Sequence, residues 1–192
     1  MDADFSIELG QEDAVLDFPW TDPEGKLAYH DVKLHPELLS QIEEADRFPE
    51  LKEFLRIVNS PRSLVETAKC DAWVSTEFSP EEEIFDASQK VASYVDLVFS
   101  AADAFEDRQS LTAHQEFCAN LVRLLRRAPE TPSAVEICVR RCYFGALAGV
   151  RDGFYCTLYV TGYGADEASA RQNWGVGLKL TANAILQVSV TG

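Results

Sequence analysis

Three histidines are available for acid–base or metal chemistry: His30, His35 and His114. His114 falls on the apolar stripe of a helical segment, where a hydrogen-bonded core imidazole is expected. His30 and His35 are five residues apart. In an extended segment they point to opposite faces, which suits no shared metal ion. The cysteines are Cys70, Cys118, Cys138, Cys142 and Cys156. Their number is odd and no CxxC occurs, against both a disulfide framework and a zinc ribbon. Cys138 and Cys142 would share a strand face, but about 13 Å apart by strand rise, too far for one metal. All five read as small buried apolar groups.

Nucleophile and phosphate motifs are missing. The chain holds neither the GxSxG elbow nor the GxxxxGK[ST] loop. Gly162-Tyr163-Gly164 precedes a helix, where an anion can be captured. Asp166 and Glu167 fill that first turn and would repel it. The same turn excludes the double-stranded RNA-binding pattern, which needs cations there. Asp71 and Asp96 could face each other on neighbouring strands as an acid–base pair. Cys156 could act as a nucleophile only with a base beside it, and no sequence signal places one. No catalytic residue, metal site or cofactor is expected.

Charge is more informative. The 192 residues carry 17 Lys and Arg against 32 Asp and Glu, a formal net charge of −15. Nucleic acid and anionic membrane are both disfavoured as partners. No apolar run approaches the roughly 20 residues of a membrane span. The acidic start Met1-Asp2-Ala3-Asp4-Phe5 lacks the features of a signal peptide, so a cytoplasmic location is expected. The acidity is uneven. Residues 1–60 hold 15 acids and 5 bases, and residues 61–107 hold 11 and 3. Residues 108–192 hold 6 acids and 9 bases, with Arg123, Arg126, Arg127, Arg140, Arg141 and Arg151 near their middle. Either the two parts attract each other, within a chain or between subunits, or the arginines receive an acidic group. Internal neutralisation is favoured.

The elements that must position these groups read as follows. Residues 1–35 form irregular strands: an alternating Phe5–Leu9, a run at Ala14–Phe18 stopped by Pro19, and a third segment over 27–34. A helix is expected from Pro36, with Leu38, Leu39, Ile42 and Ala45 on one face. Another follows from Pro49, burying Leu51, Phe54, Leu55 and Val58. Strands at 69–78 and 91–100 flank the acidic loop Glu81-Glu82-Glu83. A helix spans about Ser110–Arg127, with Ser110 as N-cap. Strands at 135–144 and 154–163 lead into a last helix at about 166–187. Its stripe is Trp174, Leu178, Ala182 and Ile185 or Leu186, and Gly175 and Gly177 imply close packing. Strand, strand, helix occurs twice, suggesting tandem units over 65–128 and 134–190.

These elements predict a single α+β domain over residues 1–192. Its antiparallel sheet has five to seven strands, with three to four helices mostly on one face. If the helices cover Cys70, Val74, Val95 and Leu97, the other face carries Lys69, Asp71, Trp73, Tyr94 and Asp96. Arg140, Tyr155, Thr157 and Tyr159 would join them. An antiparallel sheet can leave one face wet, and aromatics among charges suit recognition. The element order is similar to that of small acidic bacterial secretion chaperones, a likeness of order without a shared motif. The sequence therefore points to a non-catalytic, chaperone-like interaction module, a homodimer with a basic protein partner. The alternative is a small-molecule-binding domain or enzyme with a pocket between sheet and helices.

Overall fold

The computed structural model describes residues 1–78, 87–100, 105–146 and 149–191. The strands are β1 (Asp2–Ile7), β2 (Val15–Phe18), β3 (Val65–Ser75), β4 (Gln89–Phe99), β5 (Ser133–Ala146) and β6 (Gly149–Gly164). The helices are α1 (Glu43–Arg47), α2 (Pro49–Val58), α3 (Phe105–Arg108), α4 (Leu111–Leu125) and α5 (Glu167–Thr191), preceded by a 3-10 turn at Pro36–Gln41. The acidic run Glu81-Glu82-Glu83 lies outside the described residues.

The result is a mixed α+β architecture with a six-stranded sheet in the order β1-β5-β6-β4-β3, in which β2 follows β1 along the same side of β5. The four long strands are antiparallel. β1 and β2 run parallel to β5, so the expectation of a wholly antiparallel sheet is corrected. The alternation of Phe5–Leu9 marks a strand but carries no information on its direction, which appears only in the register from Asp2 opposite Ala134 to Ile7 opposite Val139.

The helix count is corrected as well, to five α-helices and one 3-10 turn among the described residues. Helical spacing from Pro36 breaks at Ile42, whose backbone is extended between the 3-10 turn and α1. The strand expected over 27–34 is absent; only an isolated bridge pairs Thr21 with Ala28. Over 27–34 the apolar positions change parity, Leu27 and Tyr29 being followed by Val32 and Leu34, so no single face of a strand would be apolar.

Elsewhere local chemistry sets the boundaries. Ser110 Oγ accepts the Ala113 N–H at 3.1 Å and starts α4. Asp166 Oδ1 accepts the Ser169 N–H at 2.8 Å ahead of α5, a capping role for the acidic turn. Proline opens α2 in its first turn.

α2, α4 and α5 pack on one face. There Val91, Val95 and Leu97 of β4, Val135 and Ile137 of β5, and Leu158 and Val160 of β6 meet Phe54, Leu121, Trp174, Leu178 and Ile185. Cys118 on α4 and Cys156 on β6 touch within this core, their sulfurs 3.6 Å apart. A second, smaller cluster lies on the opposite face. Leu16 and Phe18 of β2 pack there with Val98, Cys142, Phe144 and Tyr155. The remainder of that face carries polar and aromatic side chains.

Candidate functional site

The strand registers place the polar side chains. Asp71 pairs with Tyr94, Tyr94 with Tyr159, Asp96 with Thr157, and Arg140 with Tyr155. A β-bulge between Thr67 and Cys70 adds one residue to β3. Lys69 sits in this bulge, with its ammonium 4.9 Å from the ring centre of Trp20.

A chain of charge-assisted hydrogen bonds crosses the floor. Glu8 Oε2 accepts from Arg140 Nε at 2.8 Å and lies 2.6 Å from Nη2. Arg140 Nη1 donates to Thr157 Oγ1 and to the Tyr159 hydroxyl, each at 3.1 Å. Thr157 Oγ1 in turn donates to Asp96 Oδ1 at 2.7 Å. The Arg140 hydrogen bond holds the Glu8 carboxyl below its ordinary range. Burial works against charge on Arg140, but the bonds to Tyr159 and Glu8 outweigh it and raise its pKa.

Around this floor stand aromatic rings. Tyr94 and Tyr159 have ring centres 6.4 Å apart, and Trp73 is 38% exposed at the corner of the sheet. Val74, expected beneath the helices, is exposed beside it. Tyr155 shares the face but is withdrawn from solvent, in one cluster with Leu16 and Phe18 and with Trp20 and Tyr29 packed against that cluster. Lys69, Asp71, Tyr94, Arg140 and Tyr159 are half-buried, and Asp96 and Thr157 are buried. The sequence reading missed Glu8, which no local signal connects to Arg140 before the β1–β5 register is known.

A cleft of about 370 Å³ adjoins the face where segments 20–30 and 41–44 approach β3. Trp20, Glu43, Glu44, Cys70, Asp71 and Tyr94 are among its lining residues. Burial pushes the Cys70 thiol up to about 12, with the Glu44, Asp71 and Asp96 charges adding to it. Tyr94 rises to about 12 for the same reasons, burial first. Both groups therefore remain neutral at neutral pH, in a negative local potential. No cluster of three or more metal-binding side chains occurs among the described residues. No described helix is long and apolar enough to cross a membrane.

Comparison of the chain with family models, with curated proteins and with solved structures finds no match.

Asp96 supports a prediction. Burial pushes its carboxyl up from 3.8 to about 6, against the Thr157 hydrogen bond and the Lys69 and Arg140 charges. Between those values the folded chain keeps a proton that the unfolded chain has lost. Its contribution to stability is complete below about pH 4 and lost as pH rises through about 6, roughly 3 kcal/mol in all. Asp96→Asn, which keeps an acceptor for Thr157, is expected to recover up to roughly that amount above pH 6. Urea unfolding at several pH values checks this. Parallel stability profiles for wild type and variant would contradict it.

Proposed function

We propose that the protein is a non-catalytic, chaperone-like interaction module that receives a basic segment of a protein partner on its polar sheet face. The observation that carries this reading is the set of partly exposed Trp73, Tyr94 and Tyr159 around a floor braced by Glu8, Arg140, Thr157 and Asp96. The braced floor gives the aromatic groups a fixed setting, and rigid side chains lose little entropy on binding. Glu8, Asp71 and Asp96 outnumber Lys69 and Arg140 on it, which favours a cationic partner. The protein is assigned to the cytoplasm and to a homodimeric state in this reading. Attraction between the acidic and basic parts supports the dimer where it acts between subunits as well as within the chain.

Fluorescence anisotropy with a labelled Lys- and Arg-rich peptide tests the proposal. Saturable binding at low salt is expected, weakened at least about tenfold by Trp73→Ala combined with Asp71→Ala. No binding at low salt, or equal binding by the double variant, overturns it. A light-scattering mass of one chain refutes the dimer separately.

The cleft favours a second reading. Its volume of about 370 Å³ lies within the range of small-molecule sites. A reproducible thermal shift with one chemical family of metabolite, lost in Tyr94→Ala, would favour a small-molecule-binding domain or enzyme instead.

A further inference from the structure

The sheet ends at β1, and its outer border differs in charge from the face described above. Glu8 N–H donates to the Val139 carbonyl at 2.9 Å, so the even-numbered residues of this segment turn their backbone groups toward β5. Ala3, Phe5 and Ile7 turn theirs outward. The Ala3 carbonyl is taken by Arg126 Nε at 2.8 Å, and the Phe5 N–H is taken by its neighbour Asp4 Oδ1 at 2.8 Å. Ile7 is 40% exposed. The border is thus closed at Ala3, covered by one exposed side chain at Phe5, and open at Ile7.

A hollow of about 460 Å³ lies on the helix side of this border, lined by Asp4, Phe5, Val122, Arg123, Arg126 and Arg127. All three arginines are exposed at the end of α4. Arg126 is held by Ala3 and lies 3.5 Å from Asp4, while Arg123 donates to Asn120 Oδ1 at 3.1 Å. Arg127 makes no ion pair among the described residues. The groove on the other side of β1 carries Asp2, Asp4 and Glu136.

We infer that this border accepts an extended acidic segment of a partner protein as an added strand, with its carboxylates directed to Arg123 and Arg127. Two independent features converge: outward backbone groups at Phe5 and Ile7, and guanidinium groups beside them. Main-chain hydrogen bonds supply affinity in such an addition, and alternate side chains supply specificity. Successive residues of the added strand point to opposite faces. Its acids must therefore recur at every second position, because those turned the other way would meet Asp2 and Glu136. A second copy of the chain is disfavoured as the occupant. Two-fold pairing of the same border would bring two sets of Arg123, Arg126 and Arg127 together. Nucleic acid is disfavoured by Asp2, Asp4 and Glu136. This surface shares none of the residues proposed for the basic partner, so the two readings stand or fall separately.

The probe is a labelled octapeptide alternating Glu with Thr, set against a peptide of equal composition with its Glu in one block. Anisotropy is read at about 25 mM and about 150 mM salt. The variants are Arg123→Ala with Arg127→Ala, and Ile7→Pro. The proline removes an outward N–H without touching the ladder to β5, a placement that edge strands tolerate. Circular dichroism checks that each variant folds. The alternating peptide is expected to bind more tightly than the block peptide and to lose about tenfold in each variant. No binding at the lower salt overturns the inference. Equal binding of both peptides, or no effect of Ile7→Pro, reduces it to charge attraction and overturns strand addition. Equal binding of single-stranded DNA overturns the acidic-peptide assignment. A dimer in light scattering that Ile7→Pro dissolves would assign the border to a second copy instead.

Discussion

Arg108→Ala is expected to lower the unfolding free energy by about 3–5 kcal/mol, the range for removing one partner of a buried ion pair. Arg108 Nη2 donates to Glu66 Oε1 at 2.7 Å, and both side chains are only 9% exposed. Its Nε donates to the Phe99 carbonyl at 2.6 Å. The guanidinium lies 4.8 Å from the ring centre of Phe144 and 5.5 Å from that of Phe18. It thus joins β2, β3, β4 and β5 across the smaller cluster. Truncation would leave Glu66 buried without its cation. Burial already raises the Glu66 carboxyl, despite the opposing Arg108 charge. The melting temperature should fall by about 6–20 °C for a chain of this size. Glu66→Ala with Arg108→Ala should cost clearly less than the sum of the single variants, because no lone charge remains. A loss below about 1 kcal/mol for Arg108→Ala, within the range of an exposed pair, would show that this pair is not structural.

That pair also marks how far the sequence was legible. Residues with strong local signals read correctly: Leu51, Phe54, Leu55 and Val58 on α2, Ser110 at the start of α4, and Trp174, Leu178 and Ala182 on α5 are where periodicity and capping place them, while between Ile185 and Leu186 only the structure decides, for Ile185. Period-two alternation was equally informative for β3 and β4. It put Asp71 and Trp73 on the face opposite the helices together with Tyr94 and Asp96. Alternation cannot report which strand lies next to which. Glu8 and Arg140 are 132 residues apart, and only the parallel β1–β5 pairing joins them. Glu66 and Arg108 are likewise joined by tertiary packing. Nor does a strand's pattern reveal what covers its polar face: Tyr155 is withdrawn from solvent in the cluster that holds Leu16 and Phe18, with Trp20 and Tyr29 packed against it. The segment from Pro36 misled for a local reason. Its apolar residues have helical spacing, but the extended backbone at Ile42 divides it into two short pieces.

Gly162→Ala is expected to be at least as damaging as deleting a large core side chain, because no side chain can move to relieve it. A Cβ at this position of β6 would stand 2.1 Å from the Trp174 amide nitrogen and 2.5 Å from the Ala170 carbonyl oxygen. Both belong to the backbone of α5, so the helix itself would have to lift. With it would go Trp174, which is fully buried and donates from Nε1 to Ser93 Oγ at 3.0 Å. Overpacking typically costs about 1–3 kcal/mol, and a clash with rigid backbone belongs above that range. Trp174→Ala, which opens a cavity under the same helix, should cost about 3–5 kcal/mol. The two variants disrupt one contact, so their combination should cost less than their sum. Gly175→Ala provides the contrast. Its nearest neighbour would be Glu50 Cγ at 3.2 Å, the stem of a flexible and partly exposed side chain. Within a helix, replacing glycine by alanine gains about 0.5–1 kcal/mol. That variant should be neutral or slightly stabilising. Urea denaturation of all four proteins would decide the matter: comparable midpoints for Gly162→Ala and Gly175→Ala would mean that α5 does not rest on β6 at Gly162.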